Sequence, residues 1–372
     1  MQVLGTRALN RALLARQFLL RRVKQSPLEV VRHLCGMQAQ APFPPYFGLW
    51  SRLHGFTPED LSRLLLDRSV VRIVLMRGTV HLVTAEDCLF LRPLVQPILD
   101  RDLRTNTAYA AALVGLDLKS LAADARVLLA ERPHTGAELG KLLADRHPDR
   151  PPAALAHAAR GLLPLVQVPP RAVWGRSGQP TYATADDWLG RALDAHACLD
   201  DLVLRYLAAF GPAGVNDIQA WSGLTRLGEV VDRLRPQLSV FADEQGRELF
   251  DLPEAPRPDP GTPAPPRFVA EFDNLLLSHA DRTRVMSPGA RQRVFGVRNG
   301  VFPGTLLVDG FVRGTWRISK QRDIAVLDIE PYQRISKKDT AALESAGVRL
   351  LRFAAPEHTP DIRLRELAKS EF

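Results

Sequence analysis

The chain has 372 residues, 46% hydrophobic and 24% charged, the balance of a soluble globular protein long enough for two to four domains with separate cores. A net charge of +8 and an isoelectric point near 9.7 call for a polyanionic partner, and aromatics at only 7% favour a duplex held through its phosphates over a single strand stacked on rings. No apolar run approaches the roughly 20 residues of a membrane span, and Cys35, Cys88 and Cys198 lack metal-ligand spacing, which excludes a zinc or iron–sulfur site and fits a reducing cytoplasm.

Residues 1–28 contain no acid and several arginines, like an organellar presequence. Against that, Leu9, Leu13, Arg16 and Leu20 fit one face of a mature amphipathic helix over about Arg7–Leu20. Ser26 (cap), Pro27 (first helical residue) and Glu29 (return arm of a capping box) open a second helix, which Gly36 ends. Pro45–Leu53 is a third helix, and Thr57-Pro58-Glu59-Asp60 starts another. The β-branched runs Val70–Val74 and Thr79–Val83 flank Arg77-Gly78 and predict a hairpin. Helices closed by such a hairpin make a winged helix over residues 1–95.

The same order returns in residues 96–190. Helices are expected at Ser120–Arg132, from the Thr135–Glu138 capping box to Ala144, and at Pro152–Leu163. Strands follow at Leu165–Val168, Ala172–Trp174 and Thr181–Ala183, with the Gly175–Gln179 loop as wing. Residues 191–252 give a third, shorter unit: a helix at Asp200–Phe210, one capped by Asn216 and ended by Gly223, one at Gly228–Pro236, then a hairpin around Gln245-Gly246. Residues 253–266 hold seven prolines in fourteen positions and predict a stiff extended linker. Residues 267–372 turn to β, with strands at Val269–Phe272, Arg293–Val297, Thr305–Val308, Phe311–Ile318 and Ile324–Ile329. Asp309-Gly310 marks a two-residue hairpin, and a late helix covers Asp339–Ala346. The expected fold is α+β: three tandem winged helices followed by a β-rich domain.

One short stretch has the makings of a site. In Gln38-Ala39-Gln40 two amides stand two residues apart, after a helix end and before Pro42, which pushes Ala41 toward extended backbone. In extended backbone both amides point the same way; on a helix they diverge by about 200°. Alone, such a triplet is more often a solvated turn.

Context changes that weighting. Gln38-Ala39-Gln40, Arg77-Gly78-Thr79-Val80-His81-Leu82-Val83, Phe272-Asp273-Asn274-Leu275-Leu276-Leu277-Ser278-His279 with Arg282-Thr283-Arg284, and Gly314-Thr315-Trp316 together resemble the tandem winged-helix DNA glycosylases. The resemblance spans most of the chain. It implies a basic concave surface holding duplex DNA and catalysis at Gln38 and Gln40, which match the family's Gln-x-Gln motif position by position. Relatives with Gln-x-Asp carry an acid where this chain has Gln40.

Amides cannot act as general acids or bases near neutral pH, but they orient water and offer carbonyl dipoles to developing positive charge. Ordinary glycoside hydrolysis protonates its leaving group with a carboxyl. A purine alkylated at N7 already carries positive charge and leaves as a neutral base. Paired glutamines therefore fit N7-alkylated purines, crosslinked ones included, with water as nucleophile and no cofactor. No lysine lies within ten residues of the pair, Lys24 being the nearest in sequence, so Schiff-base lyase chemistry is not expected.

From Arg282 to Lys320 there are eight Lys/Arg and one acid, Asp309, and the Arg7–Arg32 stretch has seven with one acid, Glu29. Two such runs flanking the glutamines predict a phosphate-binding cleft built from Arg282, Arg284, Arg291, Arg293, Arg298, Asn299, Arg313 and Arg317, with Arg298-Asn299-Gly300 as a hairpin tip reaching a groove. Alternatively, Arg313 and Arg317 pair with acids inside the β domain. His81 is either a hydrogen-bonded structural histidine or an accessory site group. Asp273, Ser278 and His279 lack the elbow of a nucleophilic triad, so Asp273 is expected to make structural hydrogen bonds; Trp50, Trp221 and Trp316 are expected in the core. The competing functions are a non-catalytic winged-helix regulator, which ordinarily dimerises on a two-fold operator, and a protein sequestering a DNA-reactive drug. Three unequal units in one chain fit a monomeric clamp on duplex DNA, without membrane contact, in a bacterial cytoplasm at the nucleoid.

Overall fold

The computed structural model describes residues 1–296 and 302–365. Strand β1 (Gln2–Leu4) leads into α1 (Thr6–Arg16); the first unit continues with α2 (Pro27–His33), β2 (Met37–Gln38), α3 (Pro44–Arg52), α4 (Pro58–Leu66) and the hairpin β3 (Val70–Val74) and β4 (Val80–Thr84). Helices α5 (Ala85–Leu94), α6 (Gln96–Thr105) and α7 (Ala110–Leu113) carry the chain to α8 (Leu118–Glu131), β5 (His134–Thr135), α9 (Gly136–Ala144), α10 (Pro152–Leu162), β6 (Leu165–Gln167) and β7 (Thr181–Thr184). After α11 (Ala185–Leu189) come α12 (Leu199–Phe210), α13 (Val215–Ser222), α14 (Gly228–Leu234), β8 (Ser239–Asp243) and β9 (Glu248–Asp251). The last part holds β10 (Arg267–Val269), α15 (Pro288–Phe295), β11 (Gly304–Val308), β12 (Phe311–Gln321), β13 (Ile324–Pro331), α16 (Lys337–Ala354) and β14 (Thr359–Leu364). The fold is α+β, and helices followed by a hairpin recur three times before the β-rich end.

Start signals act as the residues dictate. Glu29 accepts from the Ser26 amide at 2.7 Å while Ser26 Oγ accepts from the Glu29 amide at 3.3 Å, and Thr135 and Glu138 repeat the exchange at the head of α9. Each such cap contributes about 1 kcal/mol. Asp309 and Gly310 both have positive φ, 50° and 81°, the geometry a two-residue β11–β12 hairpin requires.

The hairpins do not stand apart. β3 pairs antiparallel with β6 (Arg72 opposite Gln167, Ile73 opposite Val166), so the first two units share one six-stranded sheet ordered β2-β4-β3-β6-β7-β5. β1 adds in parallel to β8, and the C-terminal sheet runs β10-β11-β12-β13-β14. One core gathers α1, α12, α13 and the inner face of the shared sheet, including Trp221 and Leu13 at 0% exposure. A second joins α2, α3 and α4 to the C-terminal sheet and α16, with Trp50 and Trp316 inside it. Cys35 belongs to the first core and Met37 and Ala39 to the second, so the glutamine turn lies on the seam between them.

Several expectations are corrected. The strand expected from Arg293 is a helix over its described residues: Ser287 Oγ accepts from the Ala290 amide, Pro288 takes the first helical position, and α15 runs to Phe295, with Val297 outside the described residues. Ala172–Trp174 is a turn, with Ala172 at φ 70°, whose carbonyl accepts from the Tyr46 hydroxyl. The strand expected over Val269–Phe272 stops at Val269. Gly214, not Asn216, caps α13, and the Asp217 carboxylate accepts from the Gly214 amide. The proline-rich segment is not a free spacer: Pro260 and Thr262 carbonyls accept from Arg7 and Arg11.

α1 itself is an interior strut rather than a basic surface face. Arg16 donates to both Asp251 oxygens at 2.6 and 2.8 Å with neither side chain exposed, Gln17 donates to the Ala209 carbonyl, and Arg7 and Arg11 grip Asp309. Arg7, Arg11 and Arg16 of the N-terminal basic run are thus spent on pairs within the chain, which hold the third unit and the β11–β12 turn to one helix, while Arg21 and Lys24 are exposed.

Candidate active site

The glutamine turn is set by its neighbours. α2 ends with Cys35 at φ 52° and Gly36 at φ 86°; a Cβ on Gly36 would stand 2.5 Å from Val83 Cγ1, so only glycine lets the chain turn this close to β4. The reversal lays Met37 and Gln38 antiparallel to Leu82 and His81. The Ala39 amide donates to the Val80 carbonyl at 2.7 Å, and Arg72 of β3, braced by Gln167 of β6, donates to the Ala39 carbonyl at 2.7 Å. The backbone between the two amides is therefore clamped from both sides, by a bracket that exists only because the two wings share a sheet.

Both amides are oriented by donors. Gln38, 7% exposed, accepts at Oε1 from Arg77 Nη2 at 2.7 Å; Gln40, at the exposed edge, accepts at Oε1 from the Val80 amide at 3.2 Å. Arg77 sits at φ 56° in the tight turn between β3 and β4 and also donates to the Trp221 carbonyl at the end of α13. Gly223, at φ 83°, brings that helix end against it: a Cβ there would lie 3.1 Å from Arg77 Cα. The third unit thus holds the arginine that holds Gln38. Burial, then the nearby Arg282, lowers Arg77 to about 10. Each amide oxygen keeps one lone pair, and among the described residues neither Nε2 has a protein partner, so the pair can hold water.

A loop closes the other side. Gln38, Pro44, Pro45, Glu271 and Asn274 line a narrow cleft. Asp273 receives two 2.8 Å hydrogen bonds from Arg52 of α3, both side chains being buried, and Asn274 donates to the Gly36 carbonyl at 2.8 Å. Asp273 therefore has the structural role expected of it. Ser278 and His279 are interior as well, bonded to each other at 3.0 Å, with His279 Nε2 donating to the Phe210 carbonyl.

A family profile described as DNA glycosylase AlkZ-like matches residues 31–353. The chain belongs to the AlkZ-like DNA glycosylase family. An interstrand DNA cross-link repair glycosylase of Streptomyces sahachiroi is 24% identical over 370 residues, covering 93% of this chain and 95% of that protein. The solved structure of the Streptomyces sahachiroi DNA glycosylase AlkZ superposes with a TM-score of 0.81 at 20% identity, over 98% of this chain and 100% of that one.

In this AlkZ-like glycosylase the C-terminal arginines divide. Arg282 is half-buried over the Phe295 ring at 4.3 Å, and Arg291 is exposed on α15; both line one surface hollow, and the charge of Arg291 lowers Arg282 as that of Arg282 lowers Arg77. Arg293 lies over Tyr332 at 5.0 Å, Arg313 donates to Gln333, and exposed Arg317 faces Glu271. Arg284 is interior: it donates to the Pro212 carbonyl and stands 3.8 Å from Asp217, so it braces α13 instead of meeting solvent. Arg298 and Asn299 lie outside the described residues.

His81 is fully buried, opposite Gln38 across the β2–β4 pair, with Nδ1 donating to the Thr79 carbonyl at 2.9 Å and Nε2 without a partner among the described residues. Burial, then Arg77, pushes it down to about 3 from an ordinary 6.5. It is neutral at physiological pH. Because its folded pKa is depressed, its stabilising effect is complete above pH 6.5 and is lost as pH falls from 6.5 toward 3, by about 1.4 kcal/mol per pH unit. The expected result is a urea midpoint that drops between pH 7 and pH 4 and drops less in His81→Leu.

Arg77 and Glu271 are the site residues that sequence reasoning missed. Arg77 stood in a recognised turn, but nothing local tied it to Gln38 or Trp221. Glu271 lies in the run whose pattern predicts a strand over Val269–Phe272, where it reads as one more alternating polar residue.

Proposed function

We propose that this protein is a monofunctional glycosylase that hydrolyses the N-glycosidic bond of N7-alkylated purines in duplex DNA, crosslinked purines included. Its role on this reading is repair of alkylated DNA, including self-resistance to a DNA-alkylating antibiotic. The observation that carries the reading is the clamped turn whose two amides, Gln38 lining a narrow cleft and Gln40 at the exposed edge, each keep a free lone pair and, among the described residues, an NH₂ without a protein partner. Such groups position water and polarise toward a cationic sugar but cannot protonate a leaving base. A base that is already positive needs no proton. Among the described residues no lysine lines the cleft, which supports water as nucleophile. Arg282 and Arg291, reached from Gln38 through Arg77, supply phosphate contacts, with Arg293, Arg313 and Arg317 extending them along one monomer. A shallow site suits a purine still tied to the opposite strand, which cannot be drawn into a deep pocket.

The test is a duplex carrying 7-methylguanine, scored for abasic sites. Release of the base with an intact strand is expected, and borohydride added during turnover is expected to trap no protein–DNA adduct. Folded protein that binds the duplex and releases nothing would return the chain to the regulator reading. An adduct abolished by mutating a lysine would overturn the water mechanism.

A further inference from the structure

The amides leave one requirement unmet. Each has already given a lone pair to a donor, and Gln38's donor is the cation Arg77, with Arg282 close behind it. Positive charge developing on a sugar beside Gln38 would meet a positive field, so the cleft needs an anion. Among the described residues two carboxylates line it. Asp273 has both oxygens on Arg52. Glu271 is half-buried, and among the described residues it has no hydrogen bond and no ion pair. A carboxylate left half-desolvated and unpaired in a cleft costs stability and does nothing for the fold.

Its position is nonetheless fixed. Phe272, at φ 57°, turns the chain directly after it, and the Arg52–Asp273 pair and the Asn274–Gly36 bond pin the following residues to the glutamine turn. The charged groups around it are Arg317 from β12 and, in the cleft, Arg52 of α3, whose charge Asp273 closes.

We propose that Glu271 is a further catalytic residue of the glycosylase reaction, the anion that faces Gln38 across the cleft and accepts the proton of the attacking water. The inference rests on the proposed function. The bond from the sugar carbon C1′ to the purine nitrogen N9 breaks, and its electron pair neutralises the cationic purine, which departs uncharged. The ionised carboxylate stabilises the positive sugar while Gln38 orients the water. The water oxygen bonds to C1′, its proton passes to Glu271 and then to solvent, and the abasic sugar remains. Burial raises the Glu271 carboxyl above its ordinary value, which makes it a stronger base, while Arg317 opposes that rise.

The experiment is single-turnover release of 7-methylguanine from a duplex oligonucleotide between pH 4.5 and 8, with wild type, Glu271→Gln and Glu271→Asp. Wild type is expected to lose rate on the acid side as Glu271 protonates. Glu271→Gln is expected to be about 100-fold slower at pH 7.5, to lack that acid limb, and to bind the duplex as wild type does. Glu271→Asp keeps the charge at shorter reach and is expected to be slower with the limb retained, which also covers the case in which the glutamine variant fails to fold. A folded Glu271→Gln with wild-type rate and an unchanged limb would overturn the role of Glu271 and leave the glycosylase reading intact. Wild type that releases no base would overturn that reading first.

Discussion

Replacing Gln38 and Gln40 together by alanine is expected to slow base release by about 10³-fold or more, since loss of a single preorganised dipole typically costs 10²–10³. Duplex affinity is expected to stay within about twofold, because phosphate contacts dominate binding and neither amide is cationic. The single variants should not add, because both groups act on one water and one sugar. Gln38→Ala is expected to be the slower of the two. Its amide lines the cleft and is fixed by Arg77, whereas Gln40 stands at the exposed edge on the Val80 amide. The double variant should lose some stability, about 1 kcal/mol for the Gln40 bond and about 1.5–3 kcal/mol for the charged bond from buried Arg77 to Gln38, but the turn keeps its Arg72 and Val80 backbone clamps and Arg77 keeps the Trp221 carbonyl. The measurement is single-turnover release of 7-methylguanine alongside duplex titration. A double variant that released base at near the wild-type rate would remove the glutamines from the mechanism.

What could be read from the sequence, and what could not, follows the range of the interaction. Ser26, Glu29 and Gly36 act within a few residues of one another, and the helix end and turn that present Gln38 were legible from them. Asp309-Gly310 announced its hairpin for the same reason. Arg72 is different. It sits in a β-branched run and reads as an outward-facing charge, yet it is buried beneath Ala39 because β6, almost a hundred positions on, pairs with β3 and supplies Gln167. Burial lowers Arg72 to about 10, and no local pattern announces that environment. The arginine run after position 282 shows the same limit. Arg284 and Arg291 carry the same charge seven residues apart, but a helix start at Ser287 puts one inside against Asp217 and the other on the surface. Net charge pointed correctly to a basic protein; it could not sort cations that hold the fold from those free to meet phosphate.

The second large effect is on stability and falls on Arg52. Its guanidinium donates to both Asp273 oxygens, to the Gly48 carbonyl at 3.0 Å and to Gln17 Oε1 at 3.2 Å, with the pair 1% and 2% exposed. Arg52→Met keeps most of the apolar stem but leaves a carboxylate buried without its partner, a change that typically costs about 3–5 kcal/mol. The urea midpoint should fall accordingly, with the slope of the unfolding transition unchanged. The loss should also reach the site. Asp273 anchors the loop that carries Glu271 and Asn274, so at temperatures where Arg52→Met is still folded its base release should be impaired while duplex binding persists. Arg52→Met with Asp273→Leu removes both charges and is expected to regain most of the stability, because a buried pair replaced by apolar side chains is often near neutral. Recovery should fall short by about 1 kcal/mol, since Asp273 Oδ1 also accepts from the Leu275 amide as a cap. If the single variant unfolds at the wild-type midpoint, the pair does not hold the loop, and the placement of Glu271 opposite Gln38 needs another cause.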